Sequence, residues 1–189
     1  MDINSNFFDI IHDRLIVSCQ ASEGDAFRDS GAIARFAIAA VDGGARGIRA
    51  NGPEDIKAIR EAVTVPILGL QKCTAPDGRI LITPTVEAAK KLVIAGADAI
   101  ALDCTLRGQR MGALDRLRAI RSELNVPVVA DIATVEEALA AQAAGADAVA
   151  STMRGYTAET EEIQEFQPEF IQALVKAVKV PVLAEGHIN

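Results

Sequence analysis

Short apolar runs of Val, Ile, Leu and Ala alternate along this chain with amphipathic stretches of 11 to 14 residues. Three runs open with Val-Pro: VPILGL from Val65, VPVVAD from Val126 and VPVLAE from Val180, with starts 61 and 54 positions apart. A second set interleaves with them: GARGIRA from Gly44, GADAIAL from Gly96 and GADAVAS from Gly145, 52 and 49 positions apart. LIVSCQ, from Leu15 to Gln20, precedes them all. Runs this short, β-branched and continuously apolar fit strands buried on both faces. Proline is tolerated at their heads because the first residue of a strand need not donate to the ladder.

The stretches between the runs carry the helical period: SGAIARFAIAAVDG, PEDIKAIREAV, TVEAAKKLVIAG, MGALDRLRAIRSEL, TVEEALAAQAAG and PEFIQALVKAV. Thr85 and Thr134 are placed as N-caps with acidic residues behind them, and Gly96 and Gly145 as C-terminal stops. The chain therefore reads as strand-helix repeated six times, followed by a seventh strand. Such alternation predicts a parallel sheet with right-handed crossovers. An open doubly wound sheet and a closed eight-stranded barrel both satisfy it. VSCQASEGDAF after the first strand lacks the glycine-rich phosphate fingerprint, which favours an α/β TIM (β/α)8 barrel. A full barrel needs one more strand, so residues 1–189 are expected to form a single barrel domain that is incomplete, its last helix-strand-helix missing. Two strand edges are then exposed, and the chain is expected either to be unstable or to close by pairing with a second copy as a homodimer.

Composition sharpens this picture in a few places. Half the residues are hydrophobic, yet there are only six Phe, one Tyr and no Trp, so Ala, Val, Ile and Leu must build the core. The net charge of -7 argues against a nucleic-acid partner, which normally meets a basic surface. Cys19, Cys73 and Cys104 have neither disulfide nor zinc spacing and are expected to be small buried or half-buried thiols. His12 and His187 do not pair in a metal-ligand pattern, and no metal site is expected. MDINSNFFDIIHDR lacks the apolar core of a signal peptide, and no run reaches the length of a membrane span, which points to the cytoplasm.

In (β/α)8 barrels the chemistry gathers at the carboxyl ends of the strands. The residues just past the runs are Gln20, Arg49, Lys72, Asp103 and Asp131, then Arg154 and Tyr156 in the MRGYT loop, and finally Glu185. Asp98 and Asp147, at the other end, are assigned turn or cap hydrogen bonds. Two cations, Arg49 and Lys72, together with two carboxylates, Asp131 and Glu185, suit a small anionic, hydroxyl-rich substrate. They also suit proton abstraction beside a carbonyl, since a lysine near an arginine is pushed toward the neutral form that a base requires.

The segments LIVSCQA, GIRANG, VPILGLQK, ITPT, ADIAT, GYT and PVLAEG resemble, in order and spacing, the N-acylglucosamine-6-phosphate 2-epimerases, from Leu15 to Gly186. The resemblance implies interconversion of N-acetylmannosamine 6-phosphate and N-acetylglucosamine 6-phosphate in amino-sugar and sialic-acid catabolism, with no cofactor. It implies Lys72 as catalytic base and acid, Glu185 as its acidic partner, and Gln20, Arg49 and Asp131 as ligands of the sugar. Arg154, Tyr156 and Gly186 complete the expected substrate-binding set. Two positions depart from the family pattern: His187 follows AEG where arginine is usual, and Arg154 precedes GYT where a small residue is common. Another phosphate-binding barrel enzyme, or a shortened barrel without catalytic competence, stands as the alternative.

Overall fold

The computed structural model describes residues 3–22, 24–75 and 78–188, and the chain divides into two compact units, residues 1–100 and 101–189. The first unit opens with helix α1 (Ile3–Ile11), then β1 (Ile16–Cys19), α2 (Ser30–Asp42), β2 (Gly47–Asn51), α3 (Pro53–Ala62) and β3 (Ile67–Leu70). A two-stranded antiparallel hairpin follows, β4 (Lys72–Thr74) with β5 (Ile80–Ile82), then α4 (Val86–Ala95) and the start of β6 (Ala99–Asp103). β1 runs parallel to β2, β2 to β3 and β3 to β6; Ser18 lies opposite Arg49, and Arg49 opposite Leu68.

The second unit holds the rest of β6, α5 (Leu106–Arg110), α6 (Ala113–Leu124), β7 (Val128–Asp131), α7 (Val135–Ala144) and β8 (Ala148–Ala150). A single 3-10 turn (Ser151–Met153), α8 (Pro168–Ala177) and β9 (Val182–Leu183) complete it. β7 runs parallel to β8, and β8 to β9. The parallel strands follow the order β1-β2-β3-β6-β7-β8-β9, the sequential order of an incomplete TIM barrel, and all seven expected strands and six expected crossover helices are present. Helices α1 and α5 and the β4–β5 hairpin are additions that the sequence pattern did not announce.

Aliphatic side chains build both interiors, as the composition required. In the first unit Ile33, Ile48, Ile56, Ile59, Ile67, Leu68, Leu70 and Leu92 are fully buried. In the second, Leu102, Leu117, Ile120, Val128 and Val129 play that part, with Ala130, Ala138 and Ala141 filling the gaps. Each of the buried Ile, Leu and Val side chains contributes about 1.5–3 kcal/mol by leaving water. Helix and sheet approach closely at Gly69, where a Cβ would stand 2.7 Å from Ala97 Cβ and 2.9 Å from Ile56 Cδ1. Cys19 and Cys104 are buried and Cys73 half-buried, all free thiols as expected, and burial pushes the thiols of Cys19 and Cys104 up.

The two expected threonine caps form. Thr85 Oγ1 accepts from Ala88 N at 3.0 Å. Thr134 makes a reciprocal capping box with Glu137, and the left-handed Gly96 and Gly145 end α4 and α7 at φ 111° and 102°. The recurrent Gly-Ala-Asp has a mechanical purpose at the amino ends of the strands. Asp98 Oδ2 accepts the Ile67 N–H at 2.8 Å, and Asp147 Oδ2 accepts the Val128 N–H at 2.9 Å, so each aspartate anchors the neighbouring Val-Pro strand just past its proline. An arginine from the last turn of the preceding helix closes each anchor: Arg60 pairs with Asp98 and Arg121 with Asp147. Arg60 also donates to the Gly96 carbonyl at the end of α4, a favourable place for a cation. Asp98 and Asp147 are thus structural, as their position predicted.

Candidate active site

In the first unit Gln20 and Lys72 sit just past the carboxyl ends of β1 and β3, whereas Arg49, expected just past its run, is the middle residue of β2 and pairs within the ladder. Arg49 lies within β2 and is buried to 3 % exposure. Gln20 follows β1; its Nε2 donates to Ser18 Oγ at 2.6 Å, while its buried Oε1 has no hydrogen-bond partner among the described residues. Lys72 opens the β4–β5 hairpin, and its side chain is exposed. The backbone beneath Lys72 is firmly set. Its N–H donates to Asn51 Oδ1 at 2.7 Å, so the asparagine of Arg-Ala-Asn-Gly fixes the lysine's main chain. At the foot of the hairpin, Gln71 N donates to Thr83 Oγ1 at 3.2 Å and Thr83 N to the Gln71 carbonyl at 2.7 Å. Thr83 is fully buried and holds a φ of 51°, a left-handed conformation that a β-branched residue adopts only when its surroundings impose it.

In the second unit the same end of the sheet is acidic. Asp131 ends β7 with no exposed surface. Asp103 ends β6; its Oδ1 accepts from Thr105 N at 3.0 Å and Thr105 Oγ1 at 2.6 Å, while its buried Oδ2 has no hydrogen-bond partner among the described residues. Burial pushes the Asp103 carboxyl above the usual carboxylate range; the Thr105 hydrogen bonds oppose that shift and the nearby Asp131 charge reinforces it. Glu185 lies two residues beyond β9, and two consecutive hydroxyls hold it. Ser151 Oγ donates to the Glu185 carbonyl at 2.7 Å and accepts the Glu185 N–H at 2.9 Å. Thr152 Oγ1 stands 3.1 Å from Glu185 Oε2 and 2.7 Å from Asp131 Oδ1.

The remaining expected residues divide between support and surface. Arg154 serves as a brace: its Nε and Nη2 donate to Gln167 Oε1 at 3.0 and 2.9 Å, its Nη1 donates to the Ala133 carbonyl at 3.0 Å, and its guanidinium lies 4.2 Å from the Phe170 ring centroid. Tyr156 is exposed and stacks on the His187 ring at 5.0 Å with an interplanar angle of 6°. Gly186 takes a φ of 89°, so the turn carrying Glu185 needs a residue without a Cβ there. No group of three or more His, Cys, Asp or Glu among the described residues is arranged to hold a metal ion.

The family model described as "Putative N-acetylmannosamine-6-phosphate epimerase" matches residues 33–189. The chain belongs to this family. A relative from Enterobacter sp. (strain 638), named "Putative N-acetylmannosamine-6-phosphate 2-epimerase", is 40% identical over 96% of this chain and 79% of its own length. A relative of the same name from Thermosynechococcus vestitus is 44% identical over 92% of this chain and 76% of its own. The solved N-acetylmannosamine-6-phosphate 2-epimerase from Clostridium perfringens superimposes with a TM-score of 0.88 at 38% identity, covering 96% of this chain and 80% of that one. A solved dipeptide epimerase from Enterococcus faecalis V583 reaches a TM-score of 0.55 at 16% identity, which shows a shared fold alone.

Within this epimerase family fold, four residues that the sequence reading left without a role take part in the geometry: Asn51, Thr83, Ser151 and Thr152. Asn51 and Thr83 lay inside the quoted RANG and ITPT motifs, so their positions were marked but their work was not. Ser151 closed the GADAVAS run without a role and Thr152 gave no signal, because their partner Glu185 is more than thirty positions away.

Proposed function

We propose that this chain inverts the acetamido-bearing carbon of N-acetylmannosamine 6-phosphate to give N-acetylglucosamine 6-phosphate, within amino-sugar and sialic-acid catabolism. The carrying observation is the likeness, over 96% of the chain, to the solved N-acetylmannosamine-6-phosphate 2-epimerase from Clostridium perfringens. The residues at the carboxyl ends of the strands support it chemically. The proton on that carbon becomes acidic once the sugar opens to an aldehyde, because the resulting carbanion is an enolate. Lys72 removes the proton, and its return to the opposite face completes the inversion. Glu185 serves ring opening as a proton donor to the ring oxygen, and Arg49, Gln20 and Asp131 hold the sugar. Cationic donors stabilise the developing oxyanion, and since the reaction only moves a proton, no electron carrier enters it. Gly186 and the loop bearing Tyr156 are assigned to substrate binding, while Arg154 acts by holding that loop.

The partner is a small sugar phosphate, and the chain acts in the cytoplasm as a homodimer. No described helix is long and apolar enough to cross a membrane. The deciding experiment incubates the chain with N-acetylmannosamine 6-phosphate in heavy water beside Lys72→Ala. Deuterium is expected at the acetamido-bearing carbon, with N-acetylglucosamine 6-phosphate accumulating, and the variant is expected to lose at least about a hundredfold in rate. Exchange that survives in Lys72→Ala would remove the lysine from its role.

A further inference from the structure

Ser151 and Thr152 are adjacent in the short turn that follows β8, and both reach Glu185, one through its main chain and the other through its carboxylate. The turn is itself anchored: Met153 N donates to the Ile132 carbonyl at 3.2 Å, and Arg154 N to the Ser151 carbonyl at 3.0 Å. Ser151 is buried and Thr152 half-buried, so the Thr152 hydroxyl is presented from a fixed support. It meets two carboxylates, Asp131 Oδ1 at 2.7 Å and Glu185 Oε2 at 3.1 Å. A hydroxyl carries one proton and two lone pairs. It can donate fully to only one carboxylate at a time, and the second is best served when it bears a proton and donates to Oγ1 instead.

We propose that Thr152 is a positioning residue of the epimerase site, whose hydroxyl couples Asp131 to Glu185 and orients Glu185 for proton delivery. The inference rests on the reaction assigned above. When Glu185 holds the proton, its O–H donates to Thr152 Oγ1, and the threonine's own proton points at Asp131. When Glu185 releases that proton to the ring oxygen of the sugar, as the bond from that oxygen to the anomeric carbon breaks and the anomeric hydroxyl gives its own proton to water to leave the aldehyde, Oγ1–H becomes shared between two anions. Ring closure returns the proton to Glu185. Thr152 neither gains nor loses a proton in the cycle; it redirects one hydrogen bond.

Thr152→Val removes the hydroxyl and keeps the shape, whereas Thr152→Ser keeps the hydroxyl and removes a methyl group. The interconversion assay is expected to show kcat lowered about tenfold or more in Thr152→Val with KM within about threefold of the parent, and near-parental kcat in Thr152→Ser. Parental kcat in Thr152→Val, or equal losses in the two variants, would overturn the proposal. A second readout needs no turnover. With 13C-labelled carboxylates, Glu185→Gln is expected to shift the Asp131 resonance in the parent background and to leave it unmoved in the Thr152→Val background. Absence of that shift in the parent overturns the coupling. A shift that requires Thr152, in a chain that never converts the sugar, would uphold the coupling and refute the assigned reaction.

Discussion

The two ends of the strands treat their polar groups differently. At the amino ends, each Gly-Ala-Asp carboxylate meets a backbone N–H and a guanidinium: Asp98 takes Ile67 N and Arg60, and Asp147 takes Val128 N and Arg121. At the carboxyl ends, Asp103 and Asp131 are more deeply buried, and some buried polar atoms are left unserved. Gln20 Oε1 and Asp103 Oδ2 have no hydrogen-bond partner among the described residues, and two carboxylates share the Thr152 hydroxyl. An unserved buried polar atom costs about 1–3 kcal/mol. In the proposed site, a ligand would supply partners to Gln20 Oε1 and Asp103 Oδ2, whereas the two anchors at the amino ends are complete without one. In each unit the amino end secures the fold, and the proposed chemistry is assigned to the carboxyl end.

Substitutions at the two ends should therefore separate activity from stability. The largest effect is expected from Glu185→Gln, which removes a transferable proton while preserving shape: kcat/KM should fall about a hundredfold or more with the melting temperature nearly unchanged. A melting temperature that collapsed along with activity would erase the distinction. At the amino ends the expected result is reversed. Asp147→Ala should lower stability by ~2 kcal/mol, or about 4–8 °C in melting temperature, at unchanged kcat. Asp98→Ala should cost about half as much, since Asp98 is 47% exposed against 14% for Asp147 and Arg60 keeps its bonds to Gly96. Thermal scans alongside assays would decide both, and a reversed ranking would show that burial does not set the strength of the anchor.

The smallest effect concerns pH. The folded Asp103 carboxyl titrates above its unfolded range, so the folded state binds that proton more tightly than the unfolded chain does. Its favourable contribution is present below the unfolded value and disappears as pH rises through the folded one. Asp103→Asn, which can still accept from Thr105, should therefore match or exceed the parent's melting temperature at pH 7 and lose any advantage near pH 4. A variant less stable than the parent at neutral pH would mean that the ionised carboxylate has a partner worth more than its burial costs.

Much of this architecture was legible because its signals are local. Thr85, Thr134, Gly96 and Gly145 act within a few residues of their own positions, and the apolar runs between them are too continuous to be anything but buried strands. The β4–β5 hairpin was not legible, since Lys-Cys-Thr and Ile-Leu-Ile are too short to show a period. Helix α5 was hidden by Gly108, which must lack a side chain because a Cβ there would stand 2.5 Å from the Asp103 carbonyl oxygen. At the site, strand-end position singled out Asp131 and Glu185, whereas Thr152 is defined by partners 21 and 33 positions away and cannot be seen without the fold. Arg154 illustrates the converse: its charge and location suggested a ligand, and the structure engages its guanidinium with Gln167, Ala133 and Phe170.

The arginine anchors also constrain the order in which this sequence can change. Asparagine is the usual second choice where a helix ends in a left-handed residue. At Gly96, however, a Cβ would lie 2.9 Å from Arg60 Cγ and 3.1 Å from Arg60 Cβ, the stem of a side chain held at its far end by three acceptors. At Gly145 the obstruction is only the Arg121 Nη1 tip, at 3.1 Å, which can swing aside. Two glycines in the same motif thus have different histories open to them: at position 145 only the strain of the left-handed backbone opposes a side chain, whereas position 96 also stays closed until position 60 has first been shortened.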